Sequence, residues 1–155
     1  MGQRAEYVII KDANAIVYYE KWGGLSAVLV FSEGPKEAVN FAPFIETTEA
    51  LDAVFAEGGY LIDFDLKVAI VFGDPPHYDE DDKQTVLIDE ALGESPLAFL
   101  QLIAPRWRGW KLIWDYRGVS AFADHLLERN ITNIGLLTSS YTSEYEPEPP
   151  VVWQT

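Results

Sequence analysis

Three groups of residues in this 155-residue chain have types and spacings that could do chemistry. The densest is the run HYDEDD, where His77 precedes Asp79, Glu80, Asp81 and Asp82. Carboxylates beside an imidazole can ligate a divalent cation. A calcium loop, however, spaces its acids around a central glycine and ends in a glutamate, and that pattern is missing. Consecutive acids point in different directions, so the run reads as a solvated loop and no metal is expected. Asp63 and Asp65 alternate, which sends both side chains to one face of a strand. Paired carboxylates do acid–base work when their surroundings separate their pKa values. At a hairpin end beside Lys67 they read instead as exposed turn residues. His125, one of two histidines, follows Phe122 by three residues. It borders an apolar helical stripe and reads as structural.

The third group is PRWRGWKLIWDYRG, residues 105–118. It gathers Arg106, Arg108, Lys111 and Arg117 among Trp107, Trp110 and Trp114, in a chain whose net charge is -14. One reading is a surface for a nucleotide or phosphate, since bases stack on aromatics and arginine binds phosphate. Arg106, Trp107, Arg108 and Arg117 would then be the ligand-binding residues. The other reading divides the stretch. Trp110, Leu112 and Trp114 alternate into a core, and the arginines at either end meet the acidic segment 74–94. Tryptophans in strands mostly pack, which favours the second reading.

No Gly-x-Ser-x-Gly elbow, P-loop or Gly-x-Gly-x-x-Gly is present. Without cysteine there is no disulfide, thiol nucleophile or thiolate metal site. No catalytic residue and no cofactor are assigned, and binding is preferred to catalysis. The acidic balance argues against nucleic acid as a partner. The opening residues lack a signal-peptide pattern, and no apolar run approaches the ~20 residues of a membrane helix. A cytoplasmic protein without a membrane partner is expected.

Stepping along the chain, YVIIKDANAIVYYEKW predicts a hairpin turning at Ala13-Asn14, apolar on both faces and therefore covered on both. SAVLVF reads as a strand. Pro35 opens a helix that Pro43 ends. TTEALDAVFAEGG reads as a helix stopped by Gly58-Gly59, and YLIDFDLKVAIVFG as a second hairpin. Residues 73–94 read as turn-rich, with TVLI a short strand. SPLAFLQLIA is a helix capped by Ser95, with Pro96 at its first position and Leu97, Leu100 and Ala104 on one face. WKLIWDY is a strand, AFADHLLER a helix capped by Ser120, and NIGLL a last short strand. The fold class is α+β: one domain over 1–138, mainly antiparallel sheet from two hairpins plus later strands, with three to four helices. Residues 139–155 form an acidic, proline-rich tail whose VVW is apolar enough to dock.

MGQRA at the start, YYEKWGG, FAEGGYLIDFD with IVFG, and RWRGWKLIWDYRG resemble, in this order, the landmarks of a family of small uncharacterised bacterial proteins. The resemblance spans roughly residues 1–127. It departs at Glu6, where the family often has asparagine, and at GDPPHYDEDD, where it often has a Gly-Gly-Glu-Asp-like turn. It implies a bacterial, cytoplasmic α+β protein and carries over no catalytic residue.

A small acidic chain without catalytic motifs fits a protein-binding module, of the immunity or antitoxin type, that neutralises a basic partner by electrostatic complementarity. Asp79, Glu80, Asp81 and Asp82 are then the partner-binding residues. The small-ligand pocket of Arg106, Trp107, Arg108 and Arg117 is the alternative.

Overall fold

The structure, a computed structural model, describes residues 4–24, 26–40, 46–74, 83–137 and 148–155. The first hairpin pairs β1 (Arg4–Lys11) with β2 (Asn14–Glu20), Val8 opposite Val17. Its two-residue turn is Asp12-Ala13, one position earlier than expected, with φ of 54° and 62°. Two positive φ values twist the turn to match the right-handed strands.

SAVLVF is not a strand. It forms helix α1 (Ala27–Ser32), followed by α2 (Pro35–Asn40). A six-residue apolar run suits a buried strand or a buried helix equally, and packing decides. Here Phe31 lies against Tyr60 and Trp107, with ring centroids 5.6 and 4.5 Å apart. The stop expected at Pro43 falls outside the described residues.

The expected helix at 47–59 is likewise replaced, by β3 (Glu46–Thr48), β4 (Ala50–Asp52) and the start of β5 (Ala56–Asp63). Asp52 breaks the helical pattern. Its side chain accepts the N–H groups of Val54 and Phe55 at 2.9 and 3.0 Å, making the turn into β5. Gly59 is needed there because a Cβ would drive into the Glu6 carbonyl of β1. β6 (Val68–Phe72) completes the second hairpin as expected.

TVLI is helical too, inside α3 (Lys83–Glu94), with Thr85 and Ile88 buried one turn apart. In α4 (Pro96–Ile103) Ser95 accepts the Ala98 N–H at 3.0 Å, the predicted cap. The buried residues are Phe99, Leu100 and Ile103, while Leu97 is exposed. A 3-10 turn (Ala104–Trp107) carries the chain past Pro105 into β7 (Lys111–Trp114). Helix α5 (Val119–Glu128) starts after Gly118 at φ 64°, not at Ser120. β8 (Gly135–Leu137) pairs with β4, and β9 (Val151–Gln154) closes the described chain. The VVW segment thus does dock, antiparallel to β7.

Seven strands form one sheet in the order β3-β2-β1-β5-β6-β7-β9. Four of its six ladders are antiparallel, as expected, and two are parallel, which makes the sheet mixed: β1 runs parallel to β5, and β6 to β7. Five helices are present among the described residues. The class remains α+β. The extra helices and the parallel pairs have one cause, since parallel neighbours need crossovers and helices supply them. Residues of α1, α2, α3 and α4 pack on one face with Tyr7, Tyr60, Ile62, Leu112 and Trp114. Phe122 and Leu126 of α5, with Leu51 of β4, cover Val8, Ile10, Val17, Leu61 and Ile70 on the other. Two-sided burial of the first hairpin was expected, and of its large apolar side chains only Ile16, near the tip, is exposed.

Trp110 and Trp114 share the first of these faces at 6% and 5% exposure. Trp114 meets Phe99 edge-on at 5.8 Å. Trp114→Ala is expected to cost about 3–5 kcal/mol in urea unfolding, as for other buried aromatics. A loss under about 1 kcal/mol would show that this face is not core.

Candidate functional site

The aromatic and basic stretch is taken apart by the fold. Trp107 is fully buried; its ring stacks on Phe31, and its Nε1–H donates to the Phe31 carbonyl at 3.0 Å. Neither ring face is offered to a ligand. Arg106 Nη1 donates to the Ser32 carbonyl at 3.3 Å, and Arg108 is exposed where the 3-10 turn ends. Arg117 holds Asp115 by two bonds, Nε to Oδ1 at 3.1 Å and Nη2 to Oδ2 at 3.0 Å, and Nη1 reaches Asp124. The expected pairing of Arg117 with residues 74–94 is therefore corrected: its partners are Asp115 and Asp124, neighbours across the β7–α5 turn. Asp79, Glu80, Asp81, Asp82 and His77 lie outside the described residues.

Asp63 is not an exposed turn residue. It is fully buried at the end of β5. Its Oδ1 accepts the N–H groups of Asp65 and Leu66 at 3.0 and 3.1 Å. Its Oδ2 lies 2.8 Å from His125 Nε2 and 2.6 Å from Arg129 Nη1. Arg129 Nη2 continues to Asp65, 3.0 Å away, and Asp65 accepts the N–H groups of Asp12 and Ala13 at 2.8 Å. Asp65 lies in the turn beyond β5, so it is the turn and not strand alternation that brings both carboxylates to one guanidinium. Burial alone would raise the Asp63 pKa, but the bonds from Arg129, His125 and Leu66 outweigh it and hold the carboxyl below the usual range. An ionised Asp63 fixes the proton of His125 on Nε2. Four segments meet here: both hairpin turns, β5 and the end of α5.

A second buried carboxylate, Glu6, sits on the same sheet face. Its Oε1 accepts the Asp52 N–H at 2.9 Å and lies 3.3 Å from Arg4 Nε. That last contact is an ion pair by distance only, because Arg4 Nε and Glu6 Oε2 make no hydrogen bond. Arg4 instead lies flat over the Tyr19 ring, 4.1 Å from its centroid, and its Nη1 is 3.9 Å from Asp52. Burial pushes the Glu6 carboxyl up to about 7, against the pull of Arg4. Nothing in the sequence marked Glu6 as buried, since alternation along β1 places it on the covered face only once that face is identified.

Beside α5 lies a groove of about 240 Å³. Its floor is Ile70, Ile113 and Val152, and α5 forms one wall with Asp124, His125 and Glu128. Asp115, Arg117 and Lys111 complete it. The floor exists because α5 covers β5 and β6 but leaves the outer strands β7 and β9 bare on that side. The histidine that backs onto Asp63 thus faces a polar-walled, apolar-floored cleft. Its Nδ1 has no hydrogen-bond partner among the described residues. No hydroxyl among the groove-lining residues could be the nucleophile of an Asp–His pair. No helix among the described residues is long and apolar enough to cross a membrane. Among them no cluster of three or more acidic or imidazole groups could hold a metal ion.

Asp63→Asn leaves Arg129 and His125 without their shared anion. It is expected to cost about 2–4 kcal/mol at neutral pH, less than for a fully buried pair because Arg129 keeps Asp65. A lowered carboxyl contributes above the usual aspartate range, and that contribution is lost as pH falls through the folded value. The stabilities of wild type and variant, measured against pH, should therefore converge in acid. Glu6 has the opposite sign. Its folded pKa of about 7 lies above the ordinary 4.5, so its contribution is complete below about pH 4.5 and declines as pH rises through about 7. Glu6→Gln should remove that decline and be the more stable protein above neutrality, by up to about 3 kcal/mol. Parallel pH profiles of wild type and Glu6→Gln would contradict the buried, protonated carboxyl.

No protein-family model, no curated protein and no solved structure matches the chain.

Proposed function

We propose that this chain is a small acidic protein-binding module, of the immunity or antitoxin type, that neutralises a basic partner. The observation that carries the reading is the direction in which its charges are spent. Three of the five arginines are bound internally: Arg4 beside Glu6 and Asp52, Arg117 by Asp115 and Asp124, Arg129 by Asp63 and Asp65. Carboxylates outnumber basic residues 25 to 11, an excess that these ion pairs do not neutralise. Glu33, Glu37, Glu49, Glu57, Glu90 and Glu94 are all exposed. A field of one sign speeds encounter with an oppositely charged protein and repels nucleic acid. A nucleotide or phosphate pocket built on Arg106, Trp107, Arg108 and Arg117 has less support. Trp107 is enclosed and Arg117 is neutralised by two aspartates.

The test is recovery of partners from the native host on the immobilised chain, at low and at high salt. A basic protein retained at low salt and released at high salt is expected. Recovery of no basic protein at either salt overturns the reading. Asp79, Glu80, Asp81 and Asp82 remain the densest run of carboxylates in the sequence. Exchanging all four for Asn or Gln should leave stability within about 1 kcal/mol, as charges of the solvated loop that the sequence implies contribute little. Association measured by stopped flow should slow several-fold and lose part of its salt dependence. Unchanged kinetics at low salt would remove this run from the encounter surface.

A further inference from the structure

Strand β9 carries a backbone edge that its neighbour does not use. The Thr155 N–H donates to the Trp110 carbonyl at 3.0 Å. In an antiparallel ladder, bonded pairs alternate with non-bonded ones. The register of β7 and β9 then makes Leu112 with Trp153, and Trp114 with Val151, the next bonded pairs. The intervening residues of β7 agree. Lys111 N–H donates to Lys67 at 2.9 Å and Asp115 N–H to Val71 at 3.1 Å, both towards β6. Val152 and Gln154 therefore turn their N–H and C=O groups away from β7. Among the described residues no strand pairs with that side.

Natural sheet edges are usually protected by lysine, proline, a bulge or an inward charge. β9 is short, with the sequence VVWQ, and Pro149 and Pro150 lead into it, but within the strand it has none of these. The opposite edge, β3, is three residues long and begins with an exposed glutamate. Next to β9 the groove continues the surface. Val152 is 45% exposed and forms its floor with Ile113. Three carboxylates, Asp115, Asp124 and Glu128, face two cations, Lys111 and Arg117. Arg117 is already committed to Asp115 and Asp124, whereas Glu128 is exposed on the α5 wall. A second copy of the chain would bring another net charge of -14 to this edge and be repelled. A basic strand would be attracted.

We propose that the outer edge of β9 accepts an extended, basic segment of a partner protein as an added strand. Its groove-side lysine or arginine stems lie over Val152 and Ile113 and carry their charge towards Glu128. This docking mode rests on the basic-partner reading and adds to it a place and a geometry. Main-chain bonds to Val152 and Gln154 supply register, and the chain's net charge of -14 supplies selectivity for charge.

The test uses the full chain and two peptides of equal charge. One is a capped, alternating lysine–valine peptide of about seven residues, enough to span an edge strand. The other is its twin, N-methylated at alternate positions, which cannot pair. Affinity is read by fluorescence anisotropy and the edge by amide exchange at Val152 and Gln154. The first peptide is expected to bind about ten-fold tighter than its twin and to slow exchange at both amides. Val152→Pro removes one outward N–H without touching the β7 ladder, so it should bring the two affinities together. Retained protection of the Trp153 and Thr155 amides shows that β9 is still paired in the variant. If the variant does not fold, the twin comparison on the wild type decides. Equal affinity of the two peptides, without protection at Val152 and Gln154, overturns β9 docking and leaves the basic-partner reading standing. Full protection of those amides before any peptide is added means the edge is already occupied, and overturns it too. Failure of both peptides to bind at low salt overturns docking and the basic-partner reading together.

Discussion

A carboxylate closes each end of the apolar strip on the α5 side of the central strands. On β1 the strip runs Glu6, Val8, Ile10, and on β5 it runs Gly59, Leu61, Asp63, with Glu6 opposite Gly59 and Ile10 opposite Asp63. Both acids are fully buried, because β1 and β5 lie at the centre of the sheet with layers on both sides. A buried charge is tolerated only when it is bonded or neutralised. Each acid therefore pins part of the covering layer. Asp63 holds α5 through His125 and Arg129, and Glu6 holds β4 through the Asp52 N–H. The position of α5, and with it the groove and the bare floor of β7 and β9, follows from the first of these attachments.

The two pins are unequal. Asp63 has four donors among its backbone and side-chain neighbours and stays ionised. Glu6 has one aligned donor, and its second oxygen is left without a partner. Protonation is the less costly state for a carboxyl so placed. The same contrast runs through the arginines. Arg129 bridges two aspartates in good geometry, while Arg4 is turned to stack on Tyr19. In both cases a cation is drawn inward, while the lysines stay exposed among the surface acids.

The C-terminal strand joins these themes. β9 packs Val151 and Trp153 against the helical side and presents Val152 towards the groove. It covers the edge of β7, and among the described residues no strand covers its own. Whatever pairs with that edge meets α5, and α5 is anchored through His125 and Arg129 to the buried Asp63. Surface and core are therefore connected through a few named side chains.

Much of this was determined by sequence alone. Both hairpins, the Ser95 cap with Pro96, the Trp110–Leu112–Trp114 face and the docking of VVW rest on local signals: alternation, turn residues and capping chemistry. The elements that were misread are those whose local signals were ambiguous. SAVLVF is as good a strand as a buried helix, TVLI carries both periods, and the pattern at 47–59 is helical until Asp52 is spent on a turn. The candidate site was legible only in its parts. The helix-edge position of His125 follows from period, but its meeting with Asp63 does not. Asp63 and His125 are 62 residues apart in sequence, and only the packing of α5 over β5 brings them within hydrogen-bond reach. The partners of Arg117, the burial of Glu6 and the open edge of β9 were likewise decided by tertiary structure. Burial and long-range pairing depend on which faces the layers cover, and a local pattern of residues contains no record of that.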